Sequence, residues 1–159
     1  MRLEIERKFL VDTDKLDPLP TGSFIRQSYL TLENTYCVRV RIRQGHAFLT
    51  VKENSKHLSR IEFEYPIPAS DANYMLKHFC TRTLIEKTRY DIIYGGHKWE
   101  LDIFEGVNKG LVIAEIELNS ENETFEQPKW LTGEITGISR YYSTYLVNFP
   151  YKDWSKQDK

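Results

Sequence analysis

The sequence predicts a mainly β fold with flanking helices, an antiparallel meander closed or nearly closed into a barrel. Three observations carry this. Apolar and polar residues alternate in eight segments, and a strand presents successive residues to opposite faces. Glycine-centred turns separate neighbouring segments. The period becomes helical in only a few stretches. At 159 residues, 40% hydrophobic and 28% charged, the chain suits one domain with a core rather than two.

The first segment, 3–10, sets Leu3, Ile5 and Phe9 against Glu4, Glu6 and Lys8. Residues 12–22 hold two prolines and a glycine and read as a loop. Strands are expected over 24–32, 36–44 and 47–53, with Gly45-His46 separating the last two. A polar loop over 54–59 leads to a strand over 60–67. Ser70 or Asp71 can cap a helix whose Ala72, Met75, Leu76 and Phe79 lie at helical spacing. Strands 84–94 and 97–104 flank Gly95-Gly96, and a turn at 106–110 precedes strand 110–118. A short helix is expected over 121–126. A second helix over 139–148 places Tyr142, Tyr145, Leu146 and Phe149 on one stripe. These helices are expected to cover the outer wall.

The polar faces are charged in blocks. Arg39, Arg41 and Arg43 share a face, Thr50 shares one with Lys52, and Arg60 shares one with Glu62 and Glu64. Lys87, Arg89 and Asp91 share another, as do Lys98, Glu100 and Asp102, and finally Glu115 and Glu117. A single strand of this kind is most simply a solvated sheet face. The set fits that reading poorly, because like charges side by side on a sheet are destabilising. Concentrating them makes sense if a ligand relieves the repulsion.

Two ligand chemistries follow. Glu4, Glu6, Glu115 and Glu117 are hard oxygen donors suited to Mg²⁺ or Mn²⁺, which bind through a few carboxylates plus substrate phosphates. Lys8, Arg39, Arg41, Lys52, Lys87 and Arg89 suit phosphate oxygens. Together they describe a small polyanionic substrate held by protein cations and bound metal. A net charge of −1 gives no support to a chain that coats nucleic acid. No run approaches the roughly 20 apolar residues of a membrane span. The two cysteines, Cys37 and Cys80, are expected to be free thiols in the cytoplasm, with Cys37 a small filler near a strand end. His46, His57, His78 and His97 show no shared metal spacing and are expected at the surface. A two-fold assembly would give so small a barrel further cover on its outer face.

In order and spacing these residues resemble the CYTH superfamily, the triphosphate tunnel metalloenzymes, and most closely its short bacterial inorganic tripolyphosphatase branch. The resemblance runs through E-x-E-x-K at Glu4, Glu6 and Lys8, R-x-R at Arg39/Arg41 and T-x-K at Thr50/Lys52. It continues through R-x-E-x-E at Arg60/Glu62/Glu64, K-x-R at Lys87/Arg89, W-E-x-D from Trp99 to Asp102 and E-x-E at Glu115/Glu117. It implies an eight-stranded antiparallel barrel closed into a charged tunnel. Glu4, Glu6 and Glu117, with Glu115 beside them, would hold the metal, two ions with substrate bound. Lys8, Arg39, Arg41, Lys52, Lys87 and Arg89 would bind triphosphate. Glu62 and Glu64 would orient basic side chains or approach a metal, and Arg60 and Asp102 would belong to the same lining. Tyr29, in Gln27-Ser28-Tyr29-Leu30, stands where the branch has a tyrosine proposed to work with the motif lysine, although serine replaces the branch's preceding glycine. The implied reaction is metal-dependent hydrolysis of a linear triphosphate, with inorganic tripolyphosphate giving pyrophosphate and phosphate. A class IV adenylate cyclase would need an adenine pocket, a thiamine triphosphatase an aromatic platform. A non-catalytic polyphosphate-binding module could dispense with the carboxylates.

Overall fold

The alternation closes on itself. The computed structural model describes residues 2–54 and 59–155, so His57 and most of the loop expected at 54–59 lie outside the described residues. The strands are β1 (Arg2–Val11), β2 (Ser23–Leu32), β3 (Tyr36–Arg43), β4 (His46–Glu53), β5 (Ser59–Ile67), β6 (Ile85–Tyr94), β7 (His97–Phe104), β8 (Val112–Glu117) and β9 (Leu131–Glu134). All pairings are antiparallel. From β1 the ring runs through β5, β4, β3, β2, β6, β7 and β8 and returns to β1, a closed eight-stranded barrel. The β1 seam divides: Arg2 to Ile5 pair with β5, while Phe9 to Val11 pair with the short β9.

Both tight hairpins use two residues with positive φ, Gln44-Gly45 (49° and 80°) and Gly95-Gly96 (56° and 77°). Their left-handed backbone matches the strand twist. The first turn lies one residue earlier than the sequence suggested, because His46 already pairs with Arg43.

Helix α1 (Ala69–His78) starts after Pro68, so Ser70 and Asp71 lie in its first turn rather than at its cap. Asp71 there complements the positive end of the helix. Buried Ala72, with Met75 and Leu76, packs against Val40, Ala47 and Leu49 of the outer wall, whereas Phe79 is exposed.

The expected helix over 139–148 is broken. A 3₁₀ turn at Ser139–Tyr141 is followed by extended Tyr142 (φ −80°, ψ 145°) and a four-residue α2 (Ser143–Leu146). The break splits the expected stripe: Leu146 enters the core, Tyr145 and Phe149 stay exposed, and Tyr142 faces the barrel interior. Residues 121–126 are not helical. Glu123 instead accepts from the Asn119 backbone N–H at 2.5 Å, a local bond that competes with helix.

Loops, not a second helix, cover the wall around Trp99. Phe9, Phe125 and Trp130 surround that indole edge-on at 5.6–5.7 Å, with Leu16 and Leu19 from the 12–22 loop alongside. The C-terminal segment does something different. Ile135, Tyr141, Leu146 and Val147 pack against Tyr29, Cys37, Ile85, Phe104, Leu111 and Ile113. Those last six share inward parity with the charged residues, so the interior turns apolar at one end and the segment closes it. Among the described residues no helix is long and apolar enough to cross a membrane.

Candidate functional site

The barrel encloses a cavity of about 970 Å³. Every sequence-derived site residue except Asp102 lines it: Glu4, Glu6, Lys8, Tyr29, Arg39, Arg41, Lys52, Arg60, Glu62, Glu64, Lys87, Arg89, Glu115 and Glu117. Asp102 is fully buried just behind the lining. Strand parity places them all. One side chain per two residues points inward, and closure brings eight such faces around one space.

The carboxylate pole lies at the β1–β5–β8 junction. Arg60 reaches Glu4 (2.8 Å) and Glu6 (2.6 Å), and Lys52 joins Glu4 (2.5 Å) to Glu62 (2.7 Å). Lys8 lies 3.0 Å from Glu6 and donates to Glu115. Burial alone would push the Glu4 carboxyl up, but Lys52 and Arg60 bring it down to about 2. Burial likewise opposes the charge on Lys8, yet Glu115 and Glu6 hold its pKa above the ordinary lysine value. Glu6 goes the other way. Burial and the facing charge of Glu115 raise it despite Lys8.

The basic pole lies on β2, β3, β6 and β7. Buried Asp102 accepts a fork from Arg89 (both 2.6 Å) and a bond from Lys87, and Arg89 also reaches Glu100 and Glu115 (2.8 Å to the latter). Arg39 donates to Thr50 (3.1 Å) and Glu64 (3.3 Å). Arg41 is different: among the described residues its hydrogen-bond partner is the neutral Gln27 oxygen at 3.0 Å. Burial, then the charges of Arg39 and Arg89, bring its pKa down to about 10. Glu64 and Asp102 offset this only in part, and among the described residues no carboxylate forms an ion pair with this guanidinium, so an anion beside it would relieve its neighbours. Tyr29 is buried among these cations, and burial pushes its phenol up to about 12.

The donor set fits a hard divalent cation. Across β1 and β8, Glu6 stands directly opposite Glu117, and across β7 and β8, Glu100 stands opposite Glu115. Like charges so placed are destabilising until a cation lies between them. Among the described residues no three His, Cys, Asp or Glu side chains are gathered as a ligand cluster. Glu4, Glu6 and Glu115 are turned instead toward lysine and arginine.

Sequence reasoning gave no site role to several lining residues, Glu100, Gln27, Thr136 and Tyr142 among them. Glu100 was seen on its face but given no role. Gln27 is polar and neutral, so charge patterning did not mark it. Thr136 and Tyr142 come from the irregular C-terminal segment, where no period indicates direction. Cys37 is buried as expected, and Cys80 is also a free thiol. His46 and His78 are exposed, while half-buried His97 bridges Gly95 O (3.1 Å) and Glu123 (3.0 Å).

Comparison with known proteins agrees with this architecture. An inorganic triphosphatase of Acetivibrio thermocellus is 44% identical over 156 residues, covering 98% of this chain and all of that one. An inorganic triphosphatase of Nitrosomonas europaea is 36% identical, covering 91% of this chain and 96% of its own. The crystal structure of the inorganic triphosphatase NE1496 superposes with a TM-score of 0.67 at 32% identity, covering 92% and 95% of the two chains. The CYTH domain model matches residues 2–144, and the chain belongs to the CYTH domain family.

Proposed function

We propose that this protein is a divalent-metal-dependent triphosphatase that hydrolyses inorganic tripolyphosphate to pyrophosphate and phosphate. The observation that carries the reading is one cavity with two poles: Arg41, without a counter-anion among the described residues, faces a set of carboxylates that repel one another. A polyphosphate with its bound cation satisfies both.

Arg39, Arg41, Lys52, Arg60, Lys87 and Arg89 would grip the phosphate oxygens, with Lys8 between the poles. Glu4, Glu6, Glu115 and Glu117 would hold one or two Mg²⁺ or Mn²⁺ ions. When bound, the metal neutralises phosphate charge and lowers the pKa of the attacking water. The protein's own contribution is positioning and a fixed electrostatic field. Asp102 orients Lys87 and Arg89, Glu64 orients Arg39, and Glu62 orients Lys52. Lys8, held charged by Glu115 and Glu6, would stabilise the leaving pyrophosphate by its positive charge. Tyr29, protonated at neutral pH, would donate to the same region.

Trp99 and Trp130 lie in the outer wall, and Trp154 packs on Tyr141 and Tyr151, so no tryptophan offers a thiazolium or adenine a stacking surface in the cavity. Two free thiols suit a reducing compartment, the cytoplasm.

The test is phosphate release from tripolyphosphate, ATP, thiamine triphosphate and pyrophosphate, with Mg²⁺, Mn²⁺ or EDTA. Wild type runs beside Glu4→Gln and Arg41→Ala. Metal-dependent release from tripolyphosphate, lost in both variants, supports the proposal. Cyclic AMP from ATP, or tripolyphosphate binding without turnover, overturns it.

A further inference from the structure

The carboxylates that suit a metal are engaged with the cations that suit phosphate. Glu6 alone accepts from Arg60 at 2.6 Å and lies 3.0 Å from Lys8. If Glu6 and its neighbours turn to a divalent ion, the anion between those two cations is withdrawn. Lys8 and Arg60 then repel each other in a largely water-excluded space. Something must keep both aimed into the cavity.

The structure offers one group in that place. The Tyr142 ring lies 5.6 Å from the Lys8 ammonium and 6.0 Å from the Arg60 guanidinium, both measured to its centroid. Its π face carries the negative end of the ring quadrupole, so one ring can hold two cations. The ring is locked. Its hydroxyl accepts from the Gly137 N–H at 2.8 Å, and its backbone N–H donates to Ser139 O at 3.0 Å. The extended backbone at Tyr142, the break in the expected helix, is what turns the side chain inward.

We propose that Tyr142 is a positioning residue for the triphosphate, its ring face holding Lys8 and Arg60 together while the carboxylate they share, Glu6, passes to the metal. The proposal rests on the triphosphatase reading. It assigns the C-terminal segment a part in binding, beyond its part in the fold. The ring serves the cation pair, and the hydroxyl serves only to lock the ring.

The test compares wild type with Tyr142→Leu and Tyr142→Phe. Calorimetry with Mn²⁺ alone, steady-state kinetics on tripolyphosphate and the thermal midpoint are measured for each. In Tyr142→Leu, both the affinity for Mn²⁺ alone and KM for tripolyphosphate should worsen about tenfold. Tyr142→Phe should stay within about twofold of wild type in both. Unchanged Mn²⁺ affinity and KM in Tyr142→Leu would overturn the proposal alone. So would a Tyr142→Phe variant as impaired as Tyr142→Leu, since the hydroxyl rather than the ring would then matter. A wild type that binds neither Mn²⁺ nor tripolyphosphate overturns the triphosphatase reading and takes this proposal with it. If Tyr142→Leu does not fold, the Phe variant and Tyr142→Trp still decide, because only the ring face is common to them.

Discussion

Lys87 is buried beside Asp102, and burial, reinforced by Arg89 and Arg41, brings its pKa down to about 8. Since kcat/KM reports the free enzyme, its value for tripolyphosphate should fall as pH rises past about 8. Lys87→Arg should flatten that limb. Stability should move oppositely: an unfolded lysine titrates near about 10.4, so between those values the unfolded state binds more protons and folding gains with rising pH. Glu6 offers a second sign test. Its folded pKa is raised, so above the unfolded value its ionisation weakens the metal-free fold. Glu6→Gln should therefore remove that limb of the stability–pH profile while abolishing phosphate release, with Glu4 and Glu115 left as the anions beside Arg60 and Lys8. Asp102→Asn should do the reverse to the fold, costing about 3–5 kcal/mol in denaturant unfolding, because two buried cations lose their anion. At this scale the sequence revealed which charges point inward, since parity alone decides that. It did not reveal which cation each carboxylate takes, because the partners come from strands distant in sequence. Glu6 and Arg60 are 54 residues apart.

The two hairpins illustrate what an element asks of its residues. Gln44 and Gly95 occupy the same position in equivalent turns, at φ 49° and 56°. A side chain is tolerated at the first and absent at the second for a reason outside the turn: a Cβ on Gly95 would lie 2.7 Å from Glu126 Cβ. Gly95→Ala should thus cost about 1–3 kcal/mol in chemical denaturation, and Gln44→Gly should stay within about 0.5 kcal/mol of wild type. Hairpins were legible because turn chemistry is local. Strand β9 was not. It has four residues including Gly133, too few for alternation, and it exists because β1 extends past β5 and leaves its edge to be paired. The Arg7 fork onto Glu134 (2.7 and 2.5 Å) and the Lys8 N–H bond to Thr136 (2.9 Å) fasten that addition. The broken helix at 139–146 was misread because its tyrosines and leucine do sit at helical spacing. Packing against three different surroundings outweighs that period.

Across the whole molecule, the chain carries a net charge of −1, yet nine basic and seven acidic described side chains line the cavity. Anion recognition is therefore a matter of sorting charge inward, not of excess. Closure was legible from the family resemblance, while strand number gave a meander closed or nearly closed. Closure of one end was not, since it depends on where the C-terminal segment lands. Leu146, fully buried in that seal, tests it: Leu146→Ala should cost about 2–5 kcal/mol in unfolding.

Among the described residues the apolar seal stands at the end away from the two tight hairpins. If substrate enters from the hairpin end, Tyr29, Cys37 and Phe104 lie ahead of it and product leaves by the way substrate came. Turnover then becomes a queue. Pyrophosphate that lingers on the basic pole stands in the way of the next tripolyphosphate, and its inhibition in steady-state kinetics should be competitive. Long chains should then be shortened from a tip rather than threaded through, and the sizes of the products from long-chain polyphosphate check this.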